Sequence, residues 1–600
     1  MISRPELAIG LTMIALLAHK IKIMRPAARG DITIAVLQHD AAIAALLLLL
    51  YSAALVFGRN NNQANSGTVS AILSKVCILV FLLIVVLYTA DVAAYHFFVT
   101  RLYASDIVTF SGEPRSIVSL LQVSGHILGV KSLWKLAIGV ALAFVLLRAC
   151  YLLVVKTGQS SMPILPLLGT AVGLGIVWAI PVPDYVYSFV DRPLFENFIE
   201  RNHNFYVRNA FSDQFRSHLL ATAPPPLTCG KGKNLRVNVI LLIVESLSAY
   251  QSHFFSGVED WTPNLDRIAT QETALPNFYA NGWTTGGGLV SLLTGTYPLV
   301  RELRVSRTAG FTPIGGTALT NYLDTPHPLA KVLGQQGYTT EFVAPGDLGF
   351  LGQDVWLPAV GFQKVVDGND RRFAGQRLRG PFNSVPDRLL LDVAFQESAQ
   401  LSQSQPYFMT VQTFWSHRPF MDPNENGREH GQEPVFRDTD AQIGAFYDRL
   451  ASSGFFKNGL LFITGDHRAM EPFQRAEFER FGSSAAARIP AVIATHAVAL
   501  PRVILQDFQQ RDFPASIQSL VSDQYCIGPE EGSFLSDPPA APRCIIQARG
   551  DDRDLVFVKC GKQEGTVRAV GDGTRFISGS VPDEPSIIST INRSRVRPYN

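Results

Sequence analysis

The chain has 600 residues, 47% of them hydrophobic and 17% charged, with 52 Lys and Arg against 50 Asp and Glu. That length calls for more than one domain. A formal net charge of only +2, without a Lys/Arg stripe interleaved with aromatics, excludes a nucleic-acid-binding protein and leaves the lipid bilayer as the partner that composition announces.

Four apolar runs qualify as membrane spans, since a hydrocarbon core takes roughly 20 mainly apolar residues in a helix. They are Ala41 to Phe57, Val76 to Phe97 with Asp91 and His96 inside it, Leu136 to Val155 with Arg148 inside it, and Pro163 to Val182. A shorter run, Leu7 to Ala18, reads as a fifth span or as a signal-like or interfacial segment. Lys20, Lys22, Arg25 and Arg29 follow it where a cleavage site would be. About five spans are expected.

Orientation draws on two opposed signals. With the rest of the chain outside, the basic stretch from Lys20 to Arg29 and the loop with Arg101, Arg115 and Lys131 also lie outside, against the positive-inside rule. Of the six cysteines, Cys77 and Cys150 lie in spans. The even remainder, Cys229, Cys526, Cys544 and Cys560, suits one or two disulfides in an oxidising compartment. The cysteines set the expectation: a multi-pass protein with its soluble part outside the cytoplasm.

After the last run, Asp184 to Leu220 is rich in aromatics and charges and reads as an amphipathic helix along the bilayer surface, or as a helical hairpin packed on the soluble domain. Ala223-Pro224-Pro225-Pro226 cannot continue a helix and makes a stiff linker. The chain thus divides into a membrane domain (1–183), a juxtamembrane segment (184–236), a catalytic domain (237–510) and a cysteine-containing C-terminal region (511–600).

From Val237 to Val244 an almost unbroken apolar run predicts a strand buried on both faces. Thr262-Pro263-Asn264-Leu265 opens a helix, with Thr262 as cap and Pro263 in the first turn. Further strands are expected at Thr339 to Val343, Tyr407 to Gln412 and Leu460 to Ile463, with a helix through Phe446, Tyr447 and Leu450. The alternation predicts an α/β domain with a mainly parallel sheet.

Three of those strands run into chemistry: Glu245-Ser246, Ser416-His417 and Gly465-Asp466-His467. In open α/β sheets ligands bind beyond the carboxyl ends of the strands. Glu, Asp and His together offer the oxygen and nitrogen ligands that Mn²⁺, Mg²⁺ or Zn²⁺ accept. The loop Asn281-Gly282-Trp283-Thr284-Thr285-Gly286-Gly287-Gly288 feeds a helix whose N-terminus suits a phosphate or sulfate. It lacks the Gly-Lys-Ser/Thr ending of a nucleotide P-loop. A threonine hydroxyl here, activated by a nearby metal, would serve as a nucleophile.

These segments in this order, with Phe342-Val343, Phe350 to Trp356, Gly361-Phe362 and Asp466 to Met470, resemble the sulfatase-type branch of the alkaline phosphatase superfamily. Within it the chain is similar to membrane-bound phosphoglycerol transferases of the kind that decorate osmoregulated periplasmic glucans, and more distantly to lipoteichoic acid synthases. The resemblance implies an alkaline-phosphatase/sulfatase-like fold. Glu245, Thr284, Asp466 and His467 would hold a divalent metal, Mn²⁺ above all, and Thr284 would attack, with Thr285 as its rival. His417 would contact substrate or move a proton, beside substrate-binding Trp283, Gln353, Asp354 and Arg468. It also implies transfer of phosphoglycerol from phosphatidylglycerol to a periplasmic or surface glycan through a phospho-threonine, at the inner membrane with the catalytic domain periplasmic. A phosphoethanolamine transferase, a phosphodiesterase and a silent scaffold are the alternatives. No Cys-x-Pro-x-Arg stands at Thr284, which argues against sulfate ester hydrolysis.

Overall fold

A computed structural model describes, apart from isolated positions near the N-terminus, residues 31–60, 67–98, 164–179, 212–222, 225–300, 319–402, 406–418, 420–429, 431–471, 473–549 and 555–596. The chain divides into two compact units.

The first unit holds the apolar helices α1 (Asp31–Asn60), α2 (Gly67–Phe98) and α3 (Ile164–Ala179). Two stretches in them, Asp40–Gly58 and Thr68–Val92, are long and apolar enough to cross a membrane. The second begins eight residues before the predicted Val76, and two hydroxyls in those extra turns are satisfied internally. Ser74 donates to the Ala54 carbonyl (2.8 Å) and Ser70 to that of Phe57 (2.6 Å). In hydrocarbon an unpaired hydroxyl would be costly, and these bonds also join the two helices. α3, the described part of the fourth predicted span, has 16 residues. At about 1.5 Å per residue it falls short of the roughly 30 Å hydrocarbon core. Leu136 to Val155 lies outside the described residues, as does nearly all of Leu7 to Ala18.

In the second unit, Val239 to Val244 are all buried. Their side chains alternate between the two faces of a seven-stranded sheet. Val239, Leu241 and Ile243 enter one core; Ile240, Leu242 and Val244 enter the other. The strands are β1 (Asn238–Val244), β2 (Thr273–Ala274), β3 (Thr339–Val343), β4 (Lys364–Val366), β5 (Tyr407–Gln412), β6 (Gly459–Gly465) and β7 (Ala491–Thr495), in the order β2-β7-β6-β1-β5-β3-β4. The four pairings from β6 to β4 are parallel. β7 pairs antiparallel with both β6 and β2, so the sheet is mixed rather than uniformly parallel. The carboxyl ends of β1, β5 and β6, at the centre, therefore share one edge.

On the first face lie α4 (Thr285–Thr294) and α5 (Phe513–Val521), which contribute Leu289, Leu292, Phe513 and Ile517 to the core. The helices Pro263–Gln271, Asp387–Leu401 and Gln432–Ser452 cover the other face. Because α5 belongs to the main core, the packing boundary falls after it rather than at residue 510. Beyond it, β8 (Ile545–Ala548), β9 (Leu555–Cys560), β10 (Gln563–Val570) and β11 (Gly573–Gly579) form an antiparallel sheet with its own core, closed by the helix Glu584–Arg595. The cysteines outside the apolar helices pair as Cys229–Cys526 and Cys544–Cys560. Of Asp184 to Leu220 only the end is described, where the helix Asp213–Ala221 buries none of its residues and Ser212 is held by Asp572.

Candidate active site

Glu245 directly follows β1, and Ser246 after it adopts φ +59°, a left-handed conformation uncommon for serine. The turn is held from several sides. Ser246 N–H donates to Asp466 Oδ1 (2.8 Å) and its hydroxyl to Glu245 Oε1 (2.8 Å). From the loop after β5, Thr413 Oγ1 accepts the Glu245 N–H (3.0 Å) and the Ser416 hydroxyl donates to the Glu245 carbonyl (2.6 Å). Ser246, Thr413 and Ser416 thus fix the carboxylate's backbone. Spacing does not reveal this role, although Ser246 and Ser416 adjoin residues singled out by their strand ends.

Asp466 and His467 follow β6 and are wholly buried. Asp466 Oδ1 accepts from Ser246 N–H and from His467 N–H (2.8 Å), whereas Oδ2 is buried and accepts no hydrogen bond among the described residues. His467 Nδ1 lies 2.8 Å from the Arg468 carbonyl, a bond that puts a proton on Nδ1 and turns Nε2 towards the carboxylates. Around Nε2 stand Asp466 Oδ2 (3.3 Å), Glu245 Oε1 (3.5 Å) and Thr285 Oγ1 (3.5 Å). The ligand atoms of Glu245, Asp466 and His467 lie within 4.8 Å of one another.

The electrostatics of this cluster are those of a cation site. Burial and the neighbouring Glu245 charge push Asp466 up to about 7. Burial opposes ionisation of Glu245 too, but His467 and His417 beside it hold its carboxyl down at about 2. Burial would lower His467; Asp466 and Glu245 outweigh it and raise the imidazole to about 9. Two buried carboxylates thus compete for one proton, and one carboxylate oxygen is left without a donor. A divalent cation would relieve both, and the oxygen and nitrogen donors suit Mn²⁺, Mg²⁺ or Zn²⁺.

The two adjacent threonines stand differently at the head of α4. Thr284 is the N-cap of α4, in extended conformation, and does not use its side chain to cap the helix. Thr285, the first helical residue, directs its hydroxyl to Glu245 Oε2 (3.2 Å) and towards His467. Close backbone packing sets that approach, since a Cβ on Gly288 would lie 2.1 Å from the Asp466 carbonyl oxygen.

His417 lies beyond β5, with Nδ1 against the Arg418 carbonyl (2.7 Å) and its ring edge-on to Phe382 (4.6 Å). Burial holds its imidazole below the ordinary value, with Glu245 pulling the other way. Trp283 is buried beside the threonines. Gln353 opens the helix Gln353–Ala359 after β3, its Oε1 buried without a partner, and Asp354 beside it is exposed. Arg468 is fully buried and binds Glu477 through Nε (2.8 Å) and Nη2 (2.6 Å). Its guanidinium thus anchors the loop after β6.

Residues 237–522 match the sulfatase family model, so this segment is a sulfatase-family domain. Over 253 residues the chain is 26% identical to phosphoglycerol transferase I of Xanthomonas campestris pv. campestris (strain B100), which covers 39% of this chain and 34% of that relative. It is 23% identical over 278 residues to N-acetylgalactosamine-6-sulfatase of Canis lupus familiaris, covering 39% of this chain and 50% of that enzyme. The lipoteichoic acid synthase LtaP from Listeria monocytogenes superposes with a TM-score of 0.46 at 17% identity, over 64% of this chain and 95% of that one. The chain spans about a third of the length of the phosphoglycerol transferase relatives it matches.

Proposed function

We propose that the chain is a metal-dependent phosphotransferase of the membrane, moving a phosphoglycerol group from phosphatidylglycerol to a glycan hydroxyl through a phospho-threonine at Thr285. One observation carries the reading: the Thr285 hydroxyl sits between a buried carboxylate and a buried imidazole, at a helix N-terminus. Glu245, Asp466 and His467 would hold the metal, which lowers the pKa of a bound hydroxyl and offsets negative charge on the phosphoryl oxygens.

The chain's own residues supply the rest. Thr285 Oγ1 attacks phosphorus, the bond from phosphorus to the diacylglycerol oxygen breaks, and diacylglycerol leaves with a proton. Glu245 accepts the Thr285 hydrogen bond and so orients the hydroxyl, whose proton passes to solvent once a bound metal lowers its pKa. His417, with Nδ1 engaged by a carbonyl, keeps Nε2 free to exchange protons with leaving group and acceptor. The free N–H groups at the start of α4 face the phosphoryl oxygens. The acceptor hydroxyl then attacks phosphorus and releases Thr285. A donor within the bilayer accounts for the apolar helices, and the disulfides accord with a periplasmic catalytic domain.

The test supplies the full chain in detergent with phosphatidylglycerol and phosphatidylethanolamine separately. Diacylglycerol release from the first, with a glycerophosphoryl adduct on the peptide containing Thr285, is the expected result. Turnover of phosphatidylethanolamine alone would move the donor assignment, and turnover without an adduct would overturn the intermediate.

A further inference from the structure

We infer that Gln510 is a positioning residue for this site, clamping the metal-binding strand end to the threonine loop and tying both to the C-terminal sheet; the inference rests on the reading of the site given above. Gln510 is fully buried. Its Nε2 donates to the carbonyls of Gly465 (2.9 Å) and Asp466 (2.6 Å), and its Oε1 accepts the Asn281 N–H (3.0 Å). Both amide hydrogens and the amide oxygen are therefore used, on backbone at Gly465-Asp466 and at the start of the loop that leads to Thr285.

The two ends of the clamp carry the chemistry. Asp466 presents its carboxylate from the residue whose carbonyl Gln510 holds. The same carbonyl packs against Gly288, in the first turn of the helix that begins with Thr285. Asn281 opens the run that ends at Thr285, and its own side chain extends the network. Its side-chain amide donates to Gln509 Oε1 (2.7 Å) and the Ile546 carbonyl (2.8 Å), and its backbone carbonyl accepts the Ala548 N–H (2.8 Å). The Gln510 side chain thereby adds to the Gly288 packing in placing Thr285 relative to Asp466. Without the Gln510 amide, two buried carbonyls and one buried N–H lose their partners, and the separation between hydroxyl and carboxylate is no longer set. Groups that orient metal ligands in this indirect way typically change metal affinity or activity by about 10–100-fold.

The experiment uses the full chain in detergent micelles and three variants: Gln510→Leu, Gln510→Asn and Asp440→Leu. Asp440 is the control; equally buried, it accepts three hydrogen bonds from Asn264 and Leu265 on the other face of the sheet. Mn²⁺ titration of metal-stripped protein, kcat and KM for phosphatidylglycerol, and amide exchange in the 278–290 segment are measured. Gln510→Leu is expected to weaken Mn²⁺ binding and kcat by about 10–100-fold with little change in KM, and to speed exchange in that segment. Gln510→Asn, which keeps the amide but shortens its reach, falls between. Asp440→Leu loses thermal stability and leaves Mn²⁺ affinity and that exchange as in the wild type. Wild-type values for both Gln510 variants overturn the inference, as do equal losses in Asp440→Leu; if Gln510→Leu does not fold, Gln510→Asn decides. Absence of Mn²⁺ binding by the wild type would overturn the reading of the site, and the exchange data would still judge the clamp.

Discussion

The Thr285 hydroxyl donates to Glu245 Oε2 across 3.2 Å, although Glu245 ends a strand and Thr285 begins a helix forty residues later. In the proposed mechanism this contact singles out Thr285 from Thr284 as the nucleophile. Thr285→Ala is expected to lower diacylglycerol release by about 10³-fold or more, as loss of a nucleophile does. Thr284→Ala keeps most of the activity. Adduct mapping on the two variants checks the assignment, and the reverse pattern would return the role to Thr284.

A methyl group on Gly288 has no room, because the atom facing it is the Asp466 carbonyl oxygen at 2.1 Å and not a yielding side chain. Gly288→Ala should destabilise the fold by about 1–3 kcal/mol through overpacking. It should also reduce turnover, since Thr285 and Asp466 are driven apart. Thermal unfolding and initial rates measured on the same preparation check both.

Metal removal and Asp466→Asn should act in opposite directions on stability. In metal-stripped wild type the Glu245 and Asp466 carboxylates repel each other, so Asp466→Asn should match or exceed the wild-type Tm. Mn²⁺ at about 100 times its Kd should add about 2.7 kcal/mol to the wild type, and little to the variant. A metal-induced Tm shift of equal size in Asp466→Asn would remove that residue from the ligand set.

Asp387, buried in the helix Asp387–Leu401, is pushed up to about 7 by burial, against the hydrogen bond from Thr439. Between about pH 4, the ordinary aspartate value, and pH 7 the folded protein holds a proton that the unfolded chain releases. Stability must therefore fall as pH rises through that window, and the loss is complete above it. In Asp387→Asn this part of the decline should vanish. Tm values at pH 5 and pH 8 test the sign: the variant's advantage over wild type should grow at the higher pH.

Much of the fold can be read from local pattern. The predicted strands Thr339 to Val343 and Tyr407 to Gln412 have the observed bounds, and the one after Asn458 differs only at its ends. Their apolar runs are dictated by burial on both faces, which any sequence must satisfy. The antiparallel strand Ala491–Thr495 has the same composition as a parallel one, so its direction is invisible without its partners. Glu245, Asp466 and His467 stood out because they end strands. Thr284 is an extended cap residue and Thr285 the first helical one, a change of backbone conformation that spacing alone does not resolve. Gln510 carries no motif, since its role consists of bonds to residues 44 and 229 positions away.

The bonds from Asn281 to Ile546 and Ala548 also bear on the order of synthesis. The loop that carries the attacking threonine leaves the ribosome long before the strand that steadies it. A growing chain therefore holds every group needed for catalysis while its active centre is still open. Completion of the site waits for the strand Ile545–Ala548, so a chain released before that strand would lack the partners that hold Asn281.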